Sequence, residues 1–327
     1  MSIRTYALML MAVLISVTPA QADVYNLGAG YTNLETVFVG DPGNTGELSG
    51  LSAGGYGTDR ICGSVDYTYS IGKYEVTAKQ YTDFLNSKAK SDPYGLYSTS
   101  MANGCHIQRT GTYGDYSYIV EDDWANRPVN YVSYWDACRF TNWLGNGQKD
   151  GDTETGAYTL DGYTGNKGIT IQRNAGWKWA VTSEDEWYKA AYYKGGGTDA
   201  GYWDYPHQSD FIDTGMANYY SSVGHTTSVG SYAYASAYGT YDQGGNLWEW
   251  NETVYEDTYY DLRGLRGGML DSFDRDLKAT FRHSMGAPSG EESNIGFRVS
   301  AAVPEPSSII VLLGGMAGLW GIKRRSR

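Results

Sequence analysis

Gly239-Thr240-Tyr241-Asp242-Gln243-Gly244-Gly245-Asn246-Leu247-Trp248-Glu249-Trp250 is the stretch whose reading decides the fold. Two adjacent glycines set a tight turn between carboxylates at Asp242 and Glu249, and such a turn can aim carbonyl oxygens inward. Carboxylates at both ends with carbonyls between them make an oxygen-rich cage suited to a hard cation, so Ca²⁺ is the expected occupant. A turn closed by hydrogen bonds alone is the other use of the same residues.

Working outward, the chain reads as a few short helices set in long loops. A strand over residues 69–76 runs to Thr77, which caps a helix carrying Tyr81, Phe84 and Leu85. Ser133 caps a second helix, with Asp136 in its first turn and Ala137, Phe140, Trp143 and Leu144 on its apolar face. Gly145 is the expected C-cap. Thr182 or Ser183 caps a third, running through Trp187, Ala190 and Ala191 to Gly195. Residues 23–66 read as an extended lead-in with one or two strands. Residues 88–126 read as a Tyr/Gly-rich insertion without regular structure, and the rest to Val299 as short strands and loops. The pattern is that of an α+β, loop-rich domain.

Composition agrees: 43 glycines and 31 tyrosines among 327 residues favour ordered loops packed with aromatic rings. Tyr-rich loops also make adaptable binding surfaces. Of the three cysteines, Cys138 lies in a helical pattern and reads as a buried thiol. Cys62 and Cys105 lie in loop-like sequence, and export would make a disulfide between them the preferred pairing of three. No CxxC occurs, which argues against a zinc ribbon or thioredoxin-type site.

The two ends read as addresses. Met1–Arg4, an apolar run over residues 7–17 and small residues at Ala20 and Ala22 fit a signal peptide over residues 1–22, cleaved before Asp23. At the other end, Val303-Pro304-Glu305-Pro306 precedes an apolar segment (307–322) and Lys323-Arg324-Arg325-Ser326-Arg327. The order resembles the PEP-CTERM sorting signal of Gram-negative bacteria. That resemblance implies passage through the Sec translocon, an inner-membrane precursor held by the C-terminal segment of 303–327, an exosortase-type sorting enzyme as partner, and final delivery to the cell surface or beyond. Without both ends the chain keeps 20 basic against 36 acidic residues, a net charge of −16. So acidic a domain repels phosphate backbones, which excludes nucleic acid as a partner.

Several segments together resemble the formylglycine-generating-enzyme (sulfatase-modifying factor) superfamily. They are Tyr74-Glu75-Val76-Thr77, Arg127-Pro128-Val129 with Tyr134-Trp135-Asp136-Ala137, Thr182–Trp187, the quoted 239–250 stretch, Arg266-Gly267-Gly268 and Asn294-Ile295-Gly296-Phe297-Arg298. The resemblance implies an elaborated C-type-lectin-like fold over residues 67–301. It also implies a calcium site from the Asp242 and Glu249 side chains and the Gly245 and Leu247 carbonyls, with Asp242 standing where the family has Asn. A second site would use Asn218 and the Tyr219 carbonyl, its other ligands falling in a loop shortened here between Ser221 and Ser231.

Formylglycine-generating enzymes hold copper with a cysteine pair between the RGG and GFR motifs, and soft Cu(I) requires thiolate-type ligands. Residues 269–293 contain no cysteine, so copper is not expected. His106, His207, His225 and His283 are scattered, without the spacing of the iron-dependent branch. Candidate ligand-cleft residues are Trp248, Arg266, Asp271, Arg282 and His283; the two RGG and GFR arginines, Arg266 and Arg298, also suit ties between loops and carboxylates. The expected role is non-catalytic binding of a glycan or protein, a surface polysaccharide being the associated guess. The alternative is a divergent metal-dependent enzyme using Asp271, His283 or a metal near Glu75 and Asp274.

Overall fold

A computed structural model describes residues 28, 31–256, 259 and 261–303. The signal-peptide and sorting-tail segments lie outside the described residues. Strands β1 (Thr36–Val39), β2 (Glu47–Ser49), β3 (Arg60–Cys62) and β4 (Tyr69–Gly72) precede helix α1 (Ala78–Lys88). Strands β5 (Ile107–Thr110) and β6 (Ser117–Val120) lead to α2 (Tyr134–Gly145), then β7 (Trp179–Val181) and α3 (Glu184–Tyr192). The chain ends in β8 (Trp248–Glu256), β9 (Asp261–Arg266), β10 (His283–Gly286), β11 (Ile295–Gly296) and β12 (Val299–Ala302).

All three helices start at the expected residue, and each start is a full capping box. The Thr77, Ser133 and Ser183 side chains accept from the amides of Gln80, Asp136 and Glu186, whose side chains reach back to the cap amides. α1 buries Tyr81, Phe84 and Leu85, spaced to share one face. Phe84 meets Phe140 of α2 edge-on at 5.5 Å, and Phe140 meets Phe297 at 5.4 Å, so both helices close over the GFR segment. Each such ring, fully buried, contributes about 1.5–3 kcal/mol.

Two helix ends differ from expectation. Gly145 is still helical; Asn146 caps α2 and Gly147 takes the left-handed turn at φ 88°. α3 stops at Tyr192, where Tyr193 turns extended, short of Gly195.

Two four-stranded sheets position the site. One has the order β1-β4-β12-β7, all antiparallel, so the last strand is clamped between segments from the first and middle parts of the chain. The other has the order β10-β9-β8-β11, with β11 parallel to β8 through Ile295↔Trp248.

The lead-in carries three strands rather than one or two: β1 joins the first sheet, and β2–β3 form a hairpin. The 88–126 insertion also has order. It contains the β5–β6 hairpin and two 3₁₀ turns (Thr99–Ala102, Asp122–Trp124). The Asn86 side chain ties the hairpin to α1, donating to the Tyr118 carbonyl and accepting from the Tyr118 amide.

The Cys62–Cys105 disulfide is not formed. All three cysteines are free and buried. Cys62 packs beside Trp187 and Tyr188, and Cys105 belongs to the main core around α1 and α2. The two thiols sit in separate hydrophobic clusters, which loop-like sequence could not reveal.

Candidate functional site

The 242–249 turn is built as its glycines require. Asp242, Gly245 and Asn246 all have positive φ (59°, 83° and 63°). A Cβ on Gly245 would sit 2.2 Å from the Asn218 carbonyl oxygen, so only glycine fits there. The Gly245 amide donates to the Gly267 carbonyl and the Asn246 amide to the Asn218 carbonyl (2.9 and 2.8 Å), joining this turn to the RGG motif and to the 218 loop.

Beneath the turn, three carboxylates share one guanidinium. Glu249 is fully buried; Arg298 of the GFR motif donates to both its oxygens (2.6 and 2.7 Å), and the Trp187 indole adds a third bond at 2.7 Å. Asp242 accepts from the Gly230 amide at 2.6 Å. Glu75, 1 % exposed, takes one bond from Asn246 at 3.0 Å, and its other oxygen has no partner among the described residues. Burial pushes the Asp242 carboxyl up to about 6, the Glu249 charge adding to it against Gly230 and Arg298. Burial, then the charges of Asp242 and Glu249, hold Glu75 well above the ordinary range.

Such a centre calls for a proton or a cation. The oxygens suit Ca²⁺ better than any soft metal. Asp242 and Glu75 each keep acceptor capacity, and the Gly245 and Leu247 carbonyls accept no loop hydrogen bond among the described residues. Glu249 is the most committed of the expected ligands. Among the described residues no group of three His, Cys, Asp or Glu is placed to hold a metal, so any cation here would lean on carbonyl oxygens.

The expected second site is linked to the first. The Asn218 side chain donates to the Asn246 oxygen (3.2 Å) and to the His225 carbonyl, while its own buried oxygen has no partner among the described residues. The Tyr219 carbonyl is taken up in a turn by the Ser222 amide at 3.1 Å.

A second buried charge centre surrounds Glu184 at the start of α3. Arg266 and Arg282 each reach it with two bonds (2.7–3.0 Å), and Arg60 adds one at 3.0 Å. Burial alone would raise the Glu184 carboxyl, yet the guanidiniums of Arg266 and Arg282 hold it well below the usual range. Cys62 lies 3.3 Å from Arg266, and burial pushes its thiol up to about 11. Arg266 and Arg282 are 0 % and 2 % exposed, so they lie beneath the expected cleft rather than lining it.

Above them the structure does assemble Trp248 and His283, with rings 4.8 Å apart. Trp248 is followed by Phe281 at 5.9 Å, and Phe281 by Tyr56 at 5.1 Å, stacked within 18°. This aromatic shelf ends at a cavity of about 370 Å³, rimmed by Arg275, Asp276 and Lys278. Asp271 stands apart and accepts a hydrogen bond from the Ser221 hydroxyl at 2.6 Å.

Tyr56 and Phe281 were not among the residues expected from sequence. The signal was present in Gly54-Gly55-Tyr56-Gly57. Cβ atoms at Gly55 and Gly57 would lie 2.0 and 2.2 Å from the Thr280 and Arg282 carbonyl oxygens, so the glycines let Tyr56 lie on the closing segment.

A family model for the sulfatase-modifying factor enzyme 1-like domain matches residues 64–303. The chain belongs to that family. It is 26% identical over 254 residues to serine/threonine-protein kinase pkn1 of Chlamydia caviae, covering 72% of this chain and 33% of that protein. It is 36% identical over 73 residues to inactive C-alpha-formylglycine-generating enzyme 2 of Mus musculus, 21% of this chain and 24% of that one. This sulfatase-modifying-factor-like chain thus spans about a third or less of these curated relatives. Among solved structures it resembles Treponema denticola variable protein 1, with TM-score 0.56 and 20% identity over 85% of this chain and 98% of that one. That likeness supports the α+β, loop-rich fold, with three α-helices among the described residues. Within this family frame, 269–293 is the interval where the resemblance places copper-binding cysteines, and here it holds Phe281, Arg282 and His283 without any cysteine.

Proposed function

We propose that this domain is a non-catalytic ligand-binding module, exported and sorted by its terminal segments, with the Tyr56–Phe281 shelf, backed by the buried Trp248 and by His283, as its binding face. The observation that carries the reading is the closing segment itself. Where thiolate chemistry would need cysteine, residues 269–293 supply Phe281 and His283 to a row completed by Tyr56 and Trp248, together with the charged rim. Copper does not fit these side chains.

Ring faces that end in a cavity of this size suit a sugar ring or a peptide side chain. Arg275, 73 % exposed at its side chain and 3.4 Å from Asp276, is the rim cation most open to an acidic glycan or an acidic protein segment, while Lys278 is paired with Asp204 at 2.9 Å. Ca²⁺ under the 242–249 turn would fix the start of β8, and with it Trp248. Export rests on residues 1–22 and 303–327, and a membrane sorting enzyme is the partner those segments imply.

Two measurements test the reading together. Incubation with copper, oxygen and a Cys-containing sulfatase-motif peptide gives no formylglycine by mass spectrometry. An array of acidic glycans and peptides gives at least one ligand that Tyr56→Ala and Phe281→Ala release. Formylglycine formation, or array binding indifferent to both substitutions, would overturn it.

A further inference from the structure

A cavity larger than the one at the shelf lies elsewhere on the domain. A space of about 560 Å³ opens over the first turn of α1, bounded by Tyr31, Tyr74, Gln80 and the 126 and 228–229 loops. A second space of about 360 Å³ adjoins it, sharing Tyr31, Thr32, Lys79 and Asp83 as walls. Together they form one groove along the exposed side of α1. Its volume is in the range of small-molecule sites.

The charges in the groove cancel and are already engaged. Glu35 and Asp83 stand against Lys79 and Lys149. Lys79 pairs with Asp83, Glu35 with Lys73 at 3.1 Å, and the Lys149 ammonium lies 3.9 Å from the Tyr31 ring centroid. No cation of the groove lining is left unengaged to hold a phosphate, and the walls are polar except for Val229, the two tyrosine rings and Trp143, which is only 2 % exposed. A peptide would find no apolar pocket for its side chains.

What remains is neutral hydrogen-bonding capacity between aromatic rings. The Asn33 and Asn126 side-chain amides make no hydrogen bond among the described residues, and each can donate and accept at once. Asp83 accepts from the Thr32 hydroxyl at 2.7 Å and keeps further lone pairs. Gly230 lets Tyr74 sit at the groove wall, since a Cβ there would lie 2.7 Å from the Tyr74 ring. Vicinal hydroxyls need paired donors and acceptors, and the C–H faces of a pyranose ring need an aromatic surface.

We infer that the α1 groove binds a neutral oligosaccharide, with Tyr31 and Tyr74 against sugar faces and Asn33, Asn126 and Asp83 on hydroxyls. The site is independent of the shelf proposed above. The test titrates the full-length protein with cellohexaose, chitohexaose and maltohexaose as probes, by calorimetry in low salt and in about 1 M NaCl. At least one probe binds in both salts. Tyr31→Ala and Asn126→Ala each weaken it ten-fold or more with unchanged melting temperature, and Tyr56→Ala leaves it unchanged. Absence of binding by all three probes, loss of binding in high salt, or release by Tyr56→Ala with Tyr31→Ala inert would overturn the inference. Failure here leaves the shelf standing, because the shelf is tested with acidic ligands and different variants.

Discussion

Two buried charge centres are joined through α3, which starts at Glu184 and whose Trp187 donates to Glu249, and they are built in opposite senses. Around Glu184, three guanidiniums (Arg60, Arg266, Arg282) converge on one carboxylate. Under the 242–249 turn, three carboxylates (Glu75, Asp242, Glu249) share one guanidinium, Arg298. The first closes on itself: both Glu184 oxygens are bonded, and the Arg266 fork also reaches the Ala279 and Phe281 carbonyls. The second leaves a Glu75 oxygen and the neighbouring Asn218 oxygen without partners among the described residues. A finished centre holds loops together, whereas an unfinished one asks for a proton or an ion.

The comparison can be broken hardest at Glu184. Glu184→Ala leaves Arg266 and Arg282 buried without their carboxylate, and a loss of about 3–5 kcal/mol is expected in urea denaturation. A loss under about 1 kcal/mol would mean the arginine centre is not a structural tie. Arg298→Ala should act through the same physics on the other centre, exposing the Glu249 charge to an apolar surrounding.

The carboxylate centre answers to pH. Asp242 and Glu75 keep protons in the folded state that they lose in the unfolded chain, so the native state binds more protons between their unfolded and folded values. Stability therefore falls as pH rises from about 4 through 6 and beyond, by up to about 3 kcal/mol for Asp242 alone. Measured in chelator, Glu75→Gln and Asp242→Asn each flatten that slope. Variant slopes equal to the wild type's would contradict the assignment; the comparison is made between variants because buried His207 and Asp136 titrate in the same window, with opposite and with like sign.

Smaller effects mark the edges of the comparison. Arg60, 36% exposed at its side chain, is the outermost of the three arginines, and Arg60→Ala should cost about 0–1 kcal/mol. Reducing agent should leave the melting curve within the roughly 0.5 kcal/mol of an inert surface change, because no disulfide is present.

Much of the fold was legible because its signals are local. Thr77–Gln80, Ser133–Asp136 and Ser183–Glu186 are four-residue boxes that state where a helix starts whatever surrounds it. The 242–249 turn is likewise written in its glycines. What stayed hidden is long-range. Glu75 meets Asn246 across 171 residues and Tyr56 meets Phe281 through a glycine loop, and no spacing rule joins such pairs. The same limit produced the unformed Cys62–Cys105 bridge, since export chemistry permits a disulfide but says nothing of which core each thiol enters. The β2–β3 and β5–β6 hairpins escaped because strands of three or four residues carry too little alternation to read and are held by tertiary bonds, as Asn86 holds Tyr118.

The most direct measurement is thermal melting of the full chain at pH 7, stripped with chelator and then titrated with Ca²⁺. The account predicts that Ca²⁺ raises the melting temperature, that Mg²⁺ does so less, and that Asp242→Ala abolishes the rise while Arg60→Ala preserves it. Superimposed curves with chelator and with Ca²⁺ would contradict it, and would mean that the carboxylate centre under the 242–249 turn is completed by protons alone.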